Sequence, residues 1–269
     1  MKDSSHFLSL IIPSFKQEKT IVKDIKRIKK ITDNIRYDHE IIIVIDGKVD
    51  NTLQKLKKTN ISNIKIISYQ KNQGKSYAIR VGMNKAKGDY VMFVDAGMEI
   101  DPNGISMLLE HMEWYNADII VGSKRHQASQ VKYSFERKIL SFGYYLIVKT
   151  LFGLNVKDTQ AGIKIFRKKV LTKILPRLLE KKFAGDLEML VVAKLLGFNR
   201  IYEAPIKLNY KLAELTSAAT LNSIKGIFLD TLAIFYRLNI LHYYNHHHSR
   251  FVFPKNMEIV VKKYTYVKL

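Results

Sequence analysis

The chain has 269 residues, with 45 Lys or Arg against 24 Asp or Glu, for a formal net charge of +21. Its 47% hydrophobic content is enough for a packed core, which excludes a wholly disordered chain. It has no cysteine, which excludes disulfide scaffolds, thiolate zinc sites and cysteine nucleophiles. The first apolar run, 7–12, is ended by Pro13 and is too short for the apolar part of a signal peptide. It reads as a buried strand, as do 40–45, 64–68, 90–94 and 118–121, which are short, rich in β-branched or aromatic residues and mostly bounded by turn formers. Between them, 18–33, 50–59, 76–86 and 102–115 carry helical spacing. This βα alternation predicts a mostly parallel central sheet with helices on both faces. Ligands of such sheets sit beyond the C-terminal strand ends, so the polar residues after each strand are the candidates.

After Ser123 the alternation stops. A long apolar or amphipathic helix is expected over 134–152, a turn and short strand over 155–166, a helix over 186–196 ended by Gly197, and a strand over 203–208. From 224, the residues Ile224, Ile227, Phe228, Leu232, Phe235 and Leu238 follow one helix face, which predicts a C-terminal amphipathic helix. The tail from His242 reads as irregular, basic and aromatic, and the run His246, His247, His248 as a solvated loop. The expected division is one α/β domain over 1–223, then the helix and tail over 224–269. No stretch reaches the ~18–20 apolar residues of a membrane span. The nearest, 226–244, is interrupted by Asp230, Arg237 and Asn239. The expectation is a soluble or peripheral protein.

The charge has three candidate partners: nucleic acid, an anionic membrane, or phosphorylated substrates. No helix-turn-helix, zinc spacing or RNA-recognition signature is present, so nucleic acid is not expected. Asp46 follows the second strand, where a carboxylate can accept hydrogen bonds from a base or ribose, while Asp50 can cap the next helix. Lys71-Asn72-Gln73-Gly74-Lys75-Ser76 is a polar loop opening a helix, suited to phosphate, although its spacing is not that of a P-loop. Asp95 ends the strand Tyr90-Val91-Met92-Phe93-Val94, and Glu99 lies four residues on. Two carboxylates so spaced can reach one hard divalent cation.

Together these segments resemble the family 2 glycosyltransferases of GT-A fold, most closely the polyprenyl-phosphate enzymes, the dolichyl-phosphate mannose and glucose synthases. The resemblance spans roughly residues 7–240. It is carried by Leu10-Ile11-Ile12-Pro13-Ser14-Phe15, by Asp46 after its strand, by Asn72-Gln73-Gly74-Lys75, and by Gly88-Asp89-Tyr90 leading to Asp95. Further on come Gly122-Ser123-Lys124-Arg125, the pair Ser134 and Arg137, Asp158-Thr159-Gln160-Ala161-Gly162-Ile163-Lys164-Ile165-Phe166, and Phe183-Ala184-Gly185-Asp186-Leu187-Glu188. Four places depart from the family pattern. Lys16-Gln17 replaces the opening N-E, Ile45 stands where a first acid is usual, Gly97 replaces the second acid of the D-x-D metal motif, and Gly185 replaces a phenylalanine. No arginine occupies the region of Thr216 and Ser217, which leaves Lys207 and Lys211 as further candidates for the acceptor phosphate.

The resemblance implies inverting transfer of a hexose from a nucleotide-diphosphate sugar, UDP-glucose or GDP-mannose, to a polyprenyl phosphate. The alternatives are a soluble or surface polysaccharide acceptor, or a non-catalytic nucleotide-binding relative. Donor binding falls to Pro13, Phe15, Asp46, Asn72, Gly74, Lys75, Asp95 and Ala96. Acceptor and phosphate binding falls to Arg125, Ser134, Arg137, Gln160, Gly162 and Lys164. Catalytic positions are Asp95, Glu99, Asp186 and Glu188, with Asp95 and Glu99 holding Mg²⁺ or Mn²⁺. The expected setting is cytoplasmic, peripheral on the cytosolic membrane face, with Lys138, Lys149, Lys225 and Arg237 flanking the apolar helices.

Overall fold

The structure is a computed structural model that describes residues 6–131, 135–209, 221–246 and 251–262, with side chains described throughout except at 135–138 and 221–224. Ser134, Lys211, Thr216, Ser217, His247 and His248 lie outside the described residues, as do the side chains of Arg137 and Lys138. The first half alternates as expected: β1 (Phe7–Ser14), α1 (Ile21–Thr32), β2 (Asp38–Asp46), α2 (Thr52–Lys58), β3 (Ile64–Tyr69), α3 (Lys75–Lys85), β4 (Tyr90–Val94), α4 (Gly104–Trp114) and β5 (Ile119–Ser123). The second half runs α5 (Phe135–Phe152), β6 (Ile163–Arg167), α6 (Lys168–Ile174), α7 (Gly185–Leu195), β7 (Ile201–Pro205), α8 (Leu221–Asn239) and β8 (Glu258–Lys262).

The strands form one sheet in the order β7-β5-β6-β4-β1-β2-β3-β8. Strands β1, β2, β3 and β4 pair in parallel, as do β5 and β7, while β6 is antiparallel to both its neighbours and β8 is antiparallel to β3. Because side chains alternate across a strand, the near-continuous apolar runs supply two cores at once. Leu10, Ile12, Ile41, Ile43 and Ile45 pack with α1, α2 and α4 on one face. Ile11, Ile42, Val44, Val91 and Phe93 pack with α3, α5, α6, α7 and α8 on the other.

The tail differs from its sequence reading. Instead of staying irregular throughout, it includes β8, which completes the edge of the sheet by pairing Glu258–Lys262 with Ile64–Ser68. Its five residues look unremarkable because their partner strand lies far back in the chain and only alternate residues face the core. Glu258 is clamped by Lys48 at 2.7 Å and by Lys57. Helix α8 buries Thr231 and Ile234 but leaves Phe228, Leu229, Leu232 and Tyr236 exposed.

The antiparallel insertion of β6 positions the site. Val94 pairs with Ile163, so the segment entering β6 arrives where β4 leaves the sheet, and the Asp95 amide donates to the Gly162 carbonyl at 2.8 Å. At the opposite end of β4, Gly88 fits only as glycine. A Cβ there would stand 2.5 Å from the Phe7 carbonyl oxygen, 2.6 Å from the Ser9 nitrogen and 2.7 Å from the Tyr90 oxygen. These are backbone atoms of the sheet itself and cannot give way as a side-chain tip would. Gly88→Ala is expected to destabilise the chain by about 3 kcal/mol, near the upper end of ordinary overpacking costs. A matching fall in the urea midpoint at unchanged m-value would show it.

Candidate active site

Asp46 ends β2 almost fully buried, and its carboxylate is consumed locally. It accepts from the Tyr69 hydroxyl at 2.8 Å, the Asn72 amide group at 2.8 Å, the Gln73 backbone N–H at 2.7 Å and the Gly74 backbone N–H at 2.9 Å. Asp46 therefore fixes the shape of the 72–74 loop. Gly74 closes that loop at φ +105°, a conformation that favours glycine, and a Cβ there would lie 2.4 Å from the Lys181 carbonyl oxygen. The next residue, Lys75, opens α3 and points into the space beyond β4. Pro13 is buried at the end of β1, and Phe15 is exposed just after it.

Four charges meet where β4, β6, α3 and α7 converge. The Lys75 ammonium lies 2.8 Å from Asp95 Oδ2 and 3.3 Å from Asp186 Oδ2. Lys164, fully buried on β6, donates to Asp186 Oδ1 at 2.7 Å and to the Ala161 carbonyl at 2.7 Å. Burial alone would raise the Asp186 carboxyl, but Lys164 and Lys75 outweigh it and hold the group below the ordinary carboxylate range. Burial would likewise lower Lys75, but Asp186 and Asp95 outweigh it and keep the ammonium charged. Of the four, Asp95 is the member that also faces outward. Its Oδ1 is buried without a hydrogen-bond partner, while Oδ2 is paired with Lys75. Gly162 backs it so closely that a Cβ there would fall 2.0 Å from Asp95 Oδ2.

Beyond Asp95 the chain turns through Gly97 and Met98, at φ +92° and +58°. Glu99 is half-buried, and its carbonyl accepts the Asn209 amide at 2.8 Å. Ala96, also half-buried, lies in the same turn. No cluster of three or more metal-ligating side chains exists among the described residues.

The residues assigned to an acceptor divide. Arg125 donates to the Ser141 hydroxyl at 3.1 Å and lies over the rings of Phe142 and Tyr145 at 5.3 and 5.4 Å. Gln160 approaches the Tyr144 hydroxyl at 3.4 Å, so α5 gathers both residues along one helix. Lys164 does not share that surface: it is enclosed and serves Asp186. Glu188 is also enclosed, accepting from the Leu179 and Glu180 amides at 3.0 and 2.9 Å and from the Tyr244 hydroxyl at 2.7 Å. Burial raises its carboxyl, and these three donors oppose that shift. Sequence reasoning missed Tyr244 and Arg80, whose guanidinium donates to the Leu178 carbonyl from α3. No local motif marks either residue.

The sheet order, with its reversed strand beside a loop acid at the end of β4, is that of a GT-A nucleotide-diphospho-sugar transferase fold. The profile of Glycosyl transferase family 2 matches residues 9–175, and the chain belongs to that family. Among its relatives, a dolichyl-phosphate beta-glucosyltransferase of Dictyostelium discoideum is 29% identical over 83% of this chain and 69% of its own length. The Saccharomyces cerevisiae protein of the same name is 30% identical over 71% of this chain and 64% of its own. This chain thus spans about two thirds of the length of these relatives. Mannosyl-3-phosphoglycerate synthase from Rubrobacter xylanophilus shares the fold with a TM-score of 0.67 at 14% identity, over 91% of this chain and 77% of that one. The Mycobacterium tuberculosis glucosyl-3-phosphoglycerate synthase, solved with Mn²⁺, UDP and phosphoglyceric acid, shares it with a TM-score of 0.62 at 16% identity, over 86% and 79%.

The charge cluster yields two expectations. Gly162→Ala must displace Asp95, and turnover is expected to fall by about 100-fold in a protein that still unfolds cooperatively, as small misplacements in a site do. Asp186→Asn leaves two buried ammonium groups with less compensation and is expected to cost about 3–5 kcal/mol at pH 7. Because the folded carboxyl titrates below its unfolded value, its stabilisation is present above that unfolded value, near 4, and is lost as pH falls through the folded one. Urea unfolding from pH 7 down to pH 3 is expected to show the gap between native and variant narrowing at the acid end.

Proposed function

We propose that this chain transfers a hexose, with inversion, from a nucleotide-diphosphate sugar to a polyprenyl phosphate such as dolichyl phosphate. The observation that carries this reading is the convergence of Lys75, at the start of α3, with Asp95, at the end of β4, whose second carboxylate oxygen has no partner. A diphosphate bound there meets an ammonium, which stabilises the negative charge that grows on a departing nucleotide. The relatives' names favour glucose as the sugar and dolichyl phosphate as the acceptor.

Asp95 fits a divalent cation, Mg²⁺ or Mn²⁺, because its unpartnered Oδ1 is a hard oxygen ligand, and Glu99 would supply a second carboxylate after the turn at Gly97. When bound, the cation supplies Lewis-acid neutralisation of the donor diphosphate. Lys75 orients Asp95 and is itself within reach of the same phosphates. Asp186, neutralised by Lys164 and Lys75, serves as a fixed counter-charge that keeps Lys75 in place. The acceptor phosphate is already an anion near neutral pH, so the chain's task is to hold it in line instead of removing a proton from it. Arg125 is assigned this task, its guanidinium held over the Phe142 and Tyr145 rings.

The acceptor's lipid suits the outward side of α5 and α8. Ile139, Leu140, Phe142 and Leu146 are exposed on α5, and Phe228, Leu229, Leu232 and Tyr236 on α8. The two helices touch through the Tyr144 and Thr231 hydroxyls at 3.1 Å and the Phe152 and Phe235 rings at 6.2 Å. Paired apolar faces on a strongly basic chain suit docking to an anionic bilayer surface. Among the described residues no helix is long and apolar enough to cross a membrane. The proposed setting is peripheral, on the cytosolic face of a membrane.

The test is incubation with labelled UDP-glucose or GDP-mannose, Mn²⁺ or Mg²⁺, and a short polyprenyl phosphate. Label passing into the organic phase supports the proposal. Label on a soluble glycan, or nucleotide binding without turnover under any metal, overturns it. Glu99→Ala is expected to raise the metal concentration for half-maximal activity at least about tenfold, the smallest effect usual even for outer-shell ligand partners. Unchanged metal dependence would remove Glu99 from the ligand set.

A further inference from the structure

The stretch joining the 3-10 turn Leu175–Arg177 to α7 has no regular secondary structure, yet it lies directly behind the donor loop. Its backbone groups cannot pair within a helix or strand, so side chains must satisfy them. Its carbonyls face α3. Arg80 donates to Leu178 and, at 3.4 Å, to Leu179; the Tyr77 amide donates to Lys181 at 3.1 Å; and the Ser76 hydroxyl donates to Lys182. Its N–H groups face the other way, and Leu179 and Glu180 both donate to Glu188. The contact is tight as well as polar. A Cβ on Gly74 would meet Lys181, and one on Gly185 would lie 2.5 Å from Ser76. The first turn of α3, which carries Lys75, is thus held from below by peptides 178–182, and those peptides are held by Glu188.

Glu188 is in turn fixed from beyond α8. The Tyr244 hydroxyl donates to its Oε1, and Tyr244 is fully buried. Arg237, on the last turn of α8, pairs with Glu180 and reaches to 4.0 Å from Glu188. Arg177 donates to the Tyr244 carbonyl at 2.9 Å. The chain of contacts runs unbroken from the end of α8, through Tyr244 and Glu188, to peptides 178–182 and the first turn of α3.

We propose that Glu188 and Tyr244 are positioning residues for donor binding: they touch no substrate, but brace the 178–182 segment that holds Lys75 against the nucleotide diphosphate. This rests on the donor site proposed above. It departs from the family-derived reading of Glu188 as a catalytic position, because both carboxylate oxygens are spent on protein donors in a place closed to solvent.

The test compares Tyr244→Phe, Glu188→Gln and Tyr37→Phe in the full chain. Tyr37 also loses a hydroxyl bonded to a carboxylate, that of Glu113 at 3.0 Å, but does so at the opposite ends of the strands. It therefore controls for a loss of stability alone. UDP affinity in the presence of Mn²⁺ is expected to weaken about tenfold in Tyr244→Phe and further in Glu188→Gln, whose amide offers one acceptor where the carboxylate offers two. KM for the donor should rise while KM for the acceptor holds. The double variant should weaken UDP binding by less than the product of the two single effects, because both act on one contact. Amide hydrogen exchange should quicken at 179–182 and 74–77 in both site variants and stay slow there in Tyr37→Phe.

Site variants that lose melting temperature but bind UDP as the unaltered chain does would overturn the assignment. So would a matching loss of affinity in Tyr37→Phe. If the unaltered chain binds no nucleotide, the donor reading itself fails and this assignment falls with it.

Discussion

The site depends on setting two lysines and two carboxylates beside one another in a place that is mostly dry. An isolated ion so deep would cost several kcal/mol to desolvate, and an unpaired one would neutralise itself. Here Asp186 lies between Lys164 and Lys75, and Lys75 lies between Asp186 and Asp95, so each inner charge has two opposite neighbours. Such an arrangement adds little net stability compared with an apolar core, but it fixes geometry: moving any member strands another. The result is a loop acid, Asp95, whose position is set by charges it does not share with solvent.

The fold contributes by reversing one strand. Were β6 parallel to β4, its C-terminal end and not its beginning would lie beside Asp95. The antiparallel pairing brings Ala161 and Gly162 there instead, together with the carbonyls that hold Lys164 and the Asp95 amide. Asp158 secures the same crossing by accepting the Lys124 amide at 2.9 Å, tying the entry of β6 to the exit of β5. The block from Asp158 to Phe166 therefore ties together both halves of the site.

Much of this was legible in the sequence where the signal was local. The apolar runs ending at Asp46 and Asp95 gave the strands and the positions of both acids, and the switch of pattern after Ser123 marked the change from alternating βα units. What was not legible depended on partners distant in the chain. Nothing near Asp46 in the chain revealed that Tyr69 and the 72–74 loop would donate to its oxygens. Lys164 reads as a cation for the acceptor phosphate because strand periodicity gives the face but not the presence of Asp186 above it. Glu188 and Tyr244 stand 56 positions apart, and no periodicity joins them. Short β8, with its alternating exposure, left too weak a pattern to be read without β3 beside it.

That last strand also bears on how the molecule is made. Between β3 and β8 the chain builds the rest of the sheet, so the edge at β3 stays open until some of the last described residues arrive. During synthesis the N-terminal βα units can collapse early on local contacts, but β3 presents an unpaired edge for most of that time. An open apolar edge is a template for mispairing between nascent chains. Lys65 on that edge is already paired with Glu40, while Lys48 and Lys57 beside it stay like-charged until Glu258 arrives to neutralise both.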